Sequence, residues 1–301
     1  MTKLFRDCIF ADKPVVSSPI FDFLFMSIAP KRSRAVFRKL EQDLDKLSST
    51  PDAHHVHRLR TGARRLQILL GELSQEQDRS QKKLLKLLGR IRKRAGKVRD
   101  LDVQLAALRA LKISREPRRK TQLMNELIEL RGRQEKKLKK AVDDRTIRET
   151  HKRLKRAGRE FKPDASRDPL AVAKGMLERI HREDGPMTEE LLHQYRIATK
   201  RARYAAEFAD ESVEATQFIT GLKRIQDALG DWHDWLTLTQ TASEYLGDVR
   251  ESSLVSELHN VTGAKFRHAV SMLSQMRPKV VSAPTRRSPD RVPEKAIRSA
   301  A

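Results

Sequence analysis

The sequence predicts an all-α protein built as a duplicated helical bundle, and three observations lead there. Apolar residues recur at three- and four-residue spacing through most of the chain, the period of one helix face. β-branched runs are short and no two-residue hairpin signal separates alternating segments, so no strand is expected. Finally, HHVHRLRTGARRLQILLGEL, from His54 to Leu73, returns in weaker form as LLHQYRIATKRARYAAEFAD, from Leu191 to Asp210.

Taken in order, the chain opens with an apolar stretch, Val15 to Ala29, that contains Pro19 and Asp22 and is shorter than the roughly 20 residues a membrane span needs. It lacks a basic-then-apolar-then-small signal layout, so residues 1–31 are expected to pack on the body as an N-terminal segment, with membrane or granule attachment as the alternative. Ala35, Val36, Leu40, Leu44 and Leu47 predict a helix over 32–47. Ser48 to Asp52 supply a turn and the start of the 54–73 helix. From Ser80 to about Leu111 the spacing holds for many turns, as one long helix or two in line, with Gly89 and Gly96 as weak points. Glu116-Pro117 breaks it. Helices over about 118–142 and 146–159 follow, then a loop over 162–166, which closes a first half of 32–160.

The second half, 166–277, begins with a helix over 169–181 and a turn at Asp184-Gly185-Pro186. Thr188 starts the repeated segment. A helix through Phe218, Leu222, Ile225, Leu229 and Trp232 to about Leu246 and another over 252–276 complete it, with Pro278 as the stop. The tail 278–301 is rich in Pro, Ser and charge and is expected to be disordered.

The repeat carries charge as well as helix. A constant offset of 136 (57 to 193, 65 to 201) lays His57 on His193, Arg60 on Arg196, Arg64 on Lys200 and Arg65 on Arg201. Positions i, i+3 and i+7 share a helix face, so His57, Arg60 and Arg64 form one basic ridge and His193, Arg196 and Lys200 another. Like charges one turn apart repel by a few tenths of a kcal/mol per pair, so an anion should compensate. Val56, Leu59, Ala63, Leu66, Leu69 and Leu70, and in the second copy Leu192, Tyr195, Ala198, Ala202, Ala205 and Phe208, mark a separate face that packs inward. A second match, GRIRKRAGKVRDLDV on KRIQDALGDWHDWLT, has an offset of 134 (96 to 230) and pairs Arg90 with Arg224, Gly96 with Gly230 and Asp100 with Asp234. Two matches in the same order argue for duplication.

Lys and Arg number 63 against 40 acidic residues, a formal charge of +23, which points to a polyanionic partner such as nucleic acid, anionic lipid or inorganic polyphosphate. The single Cys8 excludes an intrachain disulfide and a four-cysteine zinc site, and a reducing cytoplasm is the simpler expectation.

These features resemble the CHAD domain, an all-helical family named for its histidines, over about residues 32–277. The resemblance rests on H-x-x-R-x-x-x-[RK]-[RK] at His57 to Arg65 and His193 to Arg201, R-D-L-D-V at Arg99 to Val103, and L-x-x-I-Q-D-x-L-G at Leu222 to Gly230. It implies two four-helix bundles related by a pseudo-twofold, with basic ridges facing a central groove or pore that binds inorganic polyphosphate. Carried over residue by residue, it implies anion contacts from His57, Arg60, Arg64, Arg65, His193, Arg196, Lys200 and Arg201. Arg203 joins them on the second ridge, and Arg90 and Arg224 are implied as secondary contacts. The sequence departs from the family pattern at Gln67, where a basic residue is expected and the second copy keeps Arg203, and at Gly62, unusual inside a helix. No E-x-E-x-K triphosphatase signature is present.

Other chemistries fit less well. Zinc on His54, His57 and His193 would need three or four neutral or anionic ligands, whereas Arg58, Arg60, Arg64 and Arg65 surround the first ridge. Asp100, Asp102, Asp231 and Asp234 could hold Mg²⁺ in a phosphohydrolase of polyphosphate or triphosphates, but each lies near basic residues it could brace. No phosphate-binding G-x-x-x-x-G-K-[ST] loop occurs, and no nucleophile with its base can be named. Nucleic acid would have few stacking platforms, because aromatics are 5% of the chain and only Tyr195 and Tyr204 fall in the ridges; it is expected as a weak competitor bound through phosphates. Trp232 and Trp235 are expected in the core. Together with the charge pattern, the resemblance to the CHAD domain implies a non-catalytic polyphosphate binder, expected in the cytoplasm or on its granules and needing neither cofactor nor metal.

Overall fold

The computed structural model describes residues 28–49, 52–112, 116–181, 186–247, 249–250 and 252–281. Nine helices and no strands occur among them: α1 (Pro30–Ser49), α2 (Ala53–Glu72), α3 (Arg79–Ala110), α4 (Pro117–Ala141), α5 (Asp144–Glu160), α6 (Pro169–His181), α7 (Glu189–Ala206), α8 (Val213–Leu246) and α9 (Ser253–Val281). Their starts are written locally. The side chains of Asp52, Asp78, Asp143, Thr188 and Ser212 each accept a hydrogen bond from the backbone N–H three residues on, satisfying a donor that the first turn leaves free. Glu116, held in the left-handed region at φ 52°, ends the run before Pro117. Its carboxylate accepts from the Ser252 hydroxyl at 3.0 Å and the Leu254 N–H at 3.3 Å, so the same break caps α9.

The helical period translates into burial. All twelve apolar residues assigned to the inner faces of the two repeated segments are buried, Leu59, Leu66, Leu192 and Ala202 completely. One large core joins α1–α9, with α4 entering it only through Leu138 near its end, and a smaller one lies where the C-terminal halves of α3 and α8 meet the start of α4 and the start of α9. Trp232 is fully buried, with its ring 6.0 Å from that of Phe266. Gly62 explains itself here: a Cβ would stand 3.1 Å from Cδ1 of the fully buried Leu40, so the missing side chain lets α2 lie close on α1.

The repeat matches α2 with α7 and α3 with α8; chain order then matches α1 with α6 and α4 with α9, leaving α5 as an extra helix packed on α1 and α3. The matched helices also form the seam between halves, α2 against α7 and α3 against α8.

Of the two alternatives for residues 80–111, α3 is one unbroken helix through Gly89 and Gly96. Two helix ends are adjusted. The second repeated helix ends at Ala206 rather than Asp210. α9 passes Pro278 to Val281, since a proline near a helix end removes one ladder bond while its ring holds φ close to the helical value. Of the N-terminal segment, Ile28 is buried in a bridge to Ala209 and the Ala29 N–H donates to the Phe208 carbonyl at 3.0 Å; the rest of it, and the tail from 282, lie outside the described residues. No helix among the described residues is long and apolar enough to cross a membrane.

Candidate functional site

Because α2 and α7 bury their apolar faces in one core and lie against each other, their basic ridges converge. They meet in a cavity of about 1060 Å³ lined by Arg60, Arg64 and Arg65 from α2 and Arg196, Lys200 and Arg203 from α7. Nine basic side chains and five carboxylates line it altogether. A second cavity, of about 490 Å³, opens beside it and is lined by Arg64, Arg92, Arg196, Lys200 and Arg201, with Glu72 as its one carboxylate. Arg64, Arg196, Lys200 and Tyr204 line both, so cations from the two repeats stand where the cavities adjoin.

The crowding shifts the titration of the groups it brings together. Burial first, then the charges of Arg196 and Arg64, push the Lys200 ammonium down to about 7. Arg60 and Arg196 are lowered chiefly by burial, against the pull of Asp100 and Asp234 respectively. The Nε of Arg196 is buried without a hydrogen-bond partner among the described residues. His57, at the rim, is lowered by partial burial and by Arg99 and Arg60, which favours the neutral ring. Asp234 is raised by burial, although Arg196 and Lys200 oppose this.

Carboxylates distant in sequence hold the ridges in place. Arg60 reaches Asp100 at 3.2 Å and the Gly96 carbonyl at 3.4 Å, lying across the helix where glycine leaves the surface open. Glu207 accepts from Arg65 at 2.7 Å and from Arg203 at 2.5 Å, joining one cation from each repeat, and both guanidinium groups face the Tyr204 ring. Reciprocally, Arg201 on α7 pairs with Glu72 at the end of α2. Asp102 instead pairs with Arg131 at 2.7 Å, and Asp231 with Lys265 at 2.8 Å. Among the described residues no three His, Cys, Asp or Glu side chains are grouped to hold a metal ion.

The structure therefore brings His57, Arg60, Arg64, Arg65, Arg196, Lys200, Arg201 and Arg203 to the two cavities. It does not bring His193 there: that ring packs on His233, with centroids 5.4 Å apart, and His233 is held down to about 3, first by burial and then by Arg196. Arg90 and Arg224 are exposed on α3 and α8 and line neither cavity. Sequence reasoning passed over Arg92 and Arg99, both on the matched helix α3, and over Glu207 and Glu72, whose roles depend on long-range packing.

Comparison with known proteins agrees with this architecture. The CHAD domain family model matches residues 31–243. The crystal structure of the CHAD domain from the plant Ricinus communis aligns at 19% identity over 87% of this chain and 94% of that one, with a TM-score of 0.64. PptA from Streptomyces chartreusis aligns at 15% identity over 83% and 97%, with a TM-score of 0.63. No curated protein sequence gives a significant match.

Proposed function

The chain belongs to the CHAD domain family, and from that premise we propose that its groove binds inorganic polyphosphate without catalysis. The observation that carries the reading is the convergence of Arg60, Arg64, Arg196 and Lys200, drawn from two sequence repeats, on one solvent-accessible space. A repeating anion matches such a space better than a single phosphate does. Each arginine fork can take two oxygens, Lys200 adds a point charge, and the bound chain offsets the repulsion between ridges. Among the described residues the buried Nε of Arg196 has no acceptor, and a phosphate oxygen would supply one. Asp100 and Glu207 orient Arg60, Arg65 and Arg203 before the ligand arrives, which reduces the ordering entropy lost on binding.

Titration calorimetry with polyphosphates of increasing length tests this. Affinity should rise with length until the groove is filled and then level off. Equal affinity for triphosphate and long chains would overturn the groove reading. Incubation with Mg²⁺ should release no phosphate; release abolished by EDTA would make the protein a phosphohydrolase instead. At physiological salt, polyphosphate should displace DNA at equal phosphate concentration, and the reverse exchange should fail.

A further inference from the structure

The one gap in the duplicated ridge is Gln67, which stands where the second copy has Arg203. Both residues are hydrogen-bonded to the next helix of their own half, and the two bonds are mirror images in chemistry. In the second half Nε of Arg203 donates to Oε1 of Gln226 on α8 at 2.7 Å. In the first half Nη1 of Arg92 on α3 donates to Oε1 of Gln67 at 3.1 Å. Positions 67 and 203 correspond through the offset of 136, and positions 92 and 226 correspond through the offset of 134 that relates α3 to α8 (96 to 230). Arginine and glutamine have therefore exchanged helices between the halves while keeping their bond to each other.

The exchange preserves one cation at each opening. Arg203 lines the larger cavity and Arg92 the smaller, where Arg64, Lys200 and Arg201 are its neighbours. Arg92 is half-buried, and its guanidinium is lowered by burial and by the charges of Arg64 and Arg60, so it lies within the field of the ridge rather than in open solvent. Among the described residues its guanidinium bonds only to a neutral amide, that of Gln67, which leaves most of its donors available. By contrast Arg90, two residues away, is exposed and faces neither cavity.

We propose that Arg92 supplies the phosphate-binding cation that the first ridge lacks at Gln67, making the smaller cavity a second anion-binding mouth of the groove. Gln67 then orients Arg92 as Gln226 orients Arg203. The ligand is the oxyanion of a phosphate chain, so this inference rests on the polyphosphate reading above.

The experiment compares four full-length proteins by calorimetric titration with long-chain polyphosphate at several salt concentrations: wild type, Arg92→Gln, the exchange variant Gln67→Arg/Arg92→Gln, and Lys83→Gln as a control on an exposed part of α3 that lines neither cavity. Arg92→Gln should weaken binding about tenfold, as expected for losing a charged hydrogen bond, and should flatten the dependence of log K on log salt by a little under one, as expected for one phosphate contact. The exchange variant returns arginine to the ridge and should regain most of both quantities. Arg92→Gln binding like Lys83→Gln, or an exchange variant no better than Arg92→Gln, would overturn the inference. Wild-type protein that does not bind polyphosphate would instead refute the functional reading itself.

Discussion

Binding of polyphosphate should be linked to protonation of Lys200. In the free protein that ammonium is lowered from 10.5 to about 7, because it is buried among Arg196 and Arg64. A phosphate chain lying between those cations would replace the lost hydration with anionic oxygens and offset both arginine charges, moving Lys200 back towards its ordinary value. A pKa that is higher in the complex than in the free protein means that binding takes up a proton. Well below pH 7 Lys200 is charged in both states and contributes no pH dependence. Above pH 7 each pH unit weakens binding through this residue by up to tenfold, about 1.4 kcal/mol, until the pKa of the complex is reached.

The assay is calorimetry in two buffers of different ionisation heat, which counts protons directly. With a free pKa near 7, uptake at Lys200 should be about half a proton at pH 7 and about 0.9 at pH 8. From pH 7 to pH 9 the affinity should fall by up to about 50-fold, since Lys200 is already half deprotonated at pH 7. Lys200→Arg keeps the charge throughout and should remove most of this slope, while any titration of the ligand's own end groups persists in both proteins. Undiminished pH dependence in Lys200→Arg, or tight binding at pH 8 without proton uptake, would refute the argument.

Three other outcomes follow from the same geometry. Replacing Arg60 and Arg196 together with Ala should weaken polyphosphate binding by over a hundredfold, on the basis of about 1.5 kcal/mol or more per charged hydrogen bond; Lys136→Ala/Lys137→Ala, on exposed positions of α4, should change it by less than about threefold, and equal losses would mean diffuse attraction rather than a groove. Without ligand, Lys200 binds fewer protons in the folded than in the unfolded state between about pH 7 and 10.5, so its contribution makes the free protein more stable as pH rises through that window, by at most about 1.4 kcal/mol per pH unit. Urea melts should show this component missing in Lys200→Met. Gly62→Val should destabilise the fold by about 1–3 kcal/mol, because its side chain must displace the fully buried Leu40; a urea midpoint equal to wild type would refute the close-approach account.

The helices were legible because their causes are local. Asp52 and Thr188 mark the starts of α2 and α7 through bonds to residues three positions on, and the same segments carry an apolar face that fixes the rotation of each ridge. The rotation of α3 was not read as well. The repeat singled out Arg90 there, whereas the arginines that line the cavities are Arg92 and Arg99. Two residues turn a helix by about 200°, so a repeat can identify the helix and still leave open which side chain faces inward. Applying both offsets together would have exposed Arg92, since Gln67 and Arg203 disagree at one matched position and Arg92 and Gln226 disagree in the opposite sense at the other. His193 carries no comparable signal: it lines neither cavity and packs on His233, a residue of another helix.

The carboxylates were least legible, and the reason lies in what the groove must balance. A cavity with more cations than anions destabilises the fold that forms it, and burial makes the repulsion stronger than on a surface. Complete neutralisation by nearby Asp and Glu would relieve that strain and leave nothing for a ligand to gain. The protein compensates in part, and from a distance. Glu207 is 142 residues from Arg65 and Glu72 is 129 from Arg201, so these pairs form only after both repeats have packed. They steady the outer arginines, while Arg64, Arg196 and Lys200 in the middle keep an excess of charge that depresses Lys200. Folding thus brings together cations that an anion can then stabilise, and the same uncompensated charge that weakens the free protein should strengthen the complex.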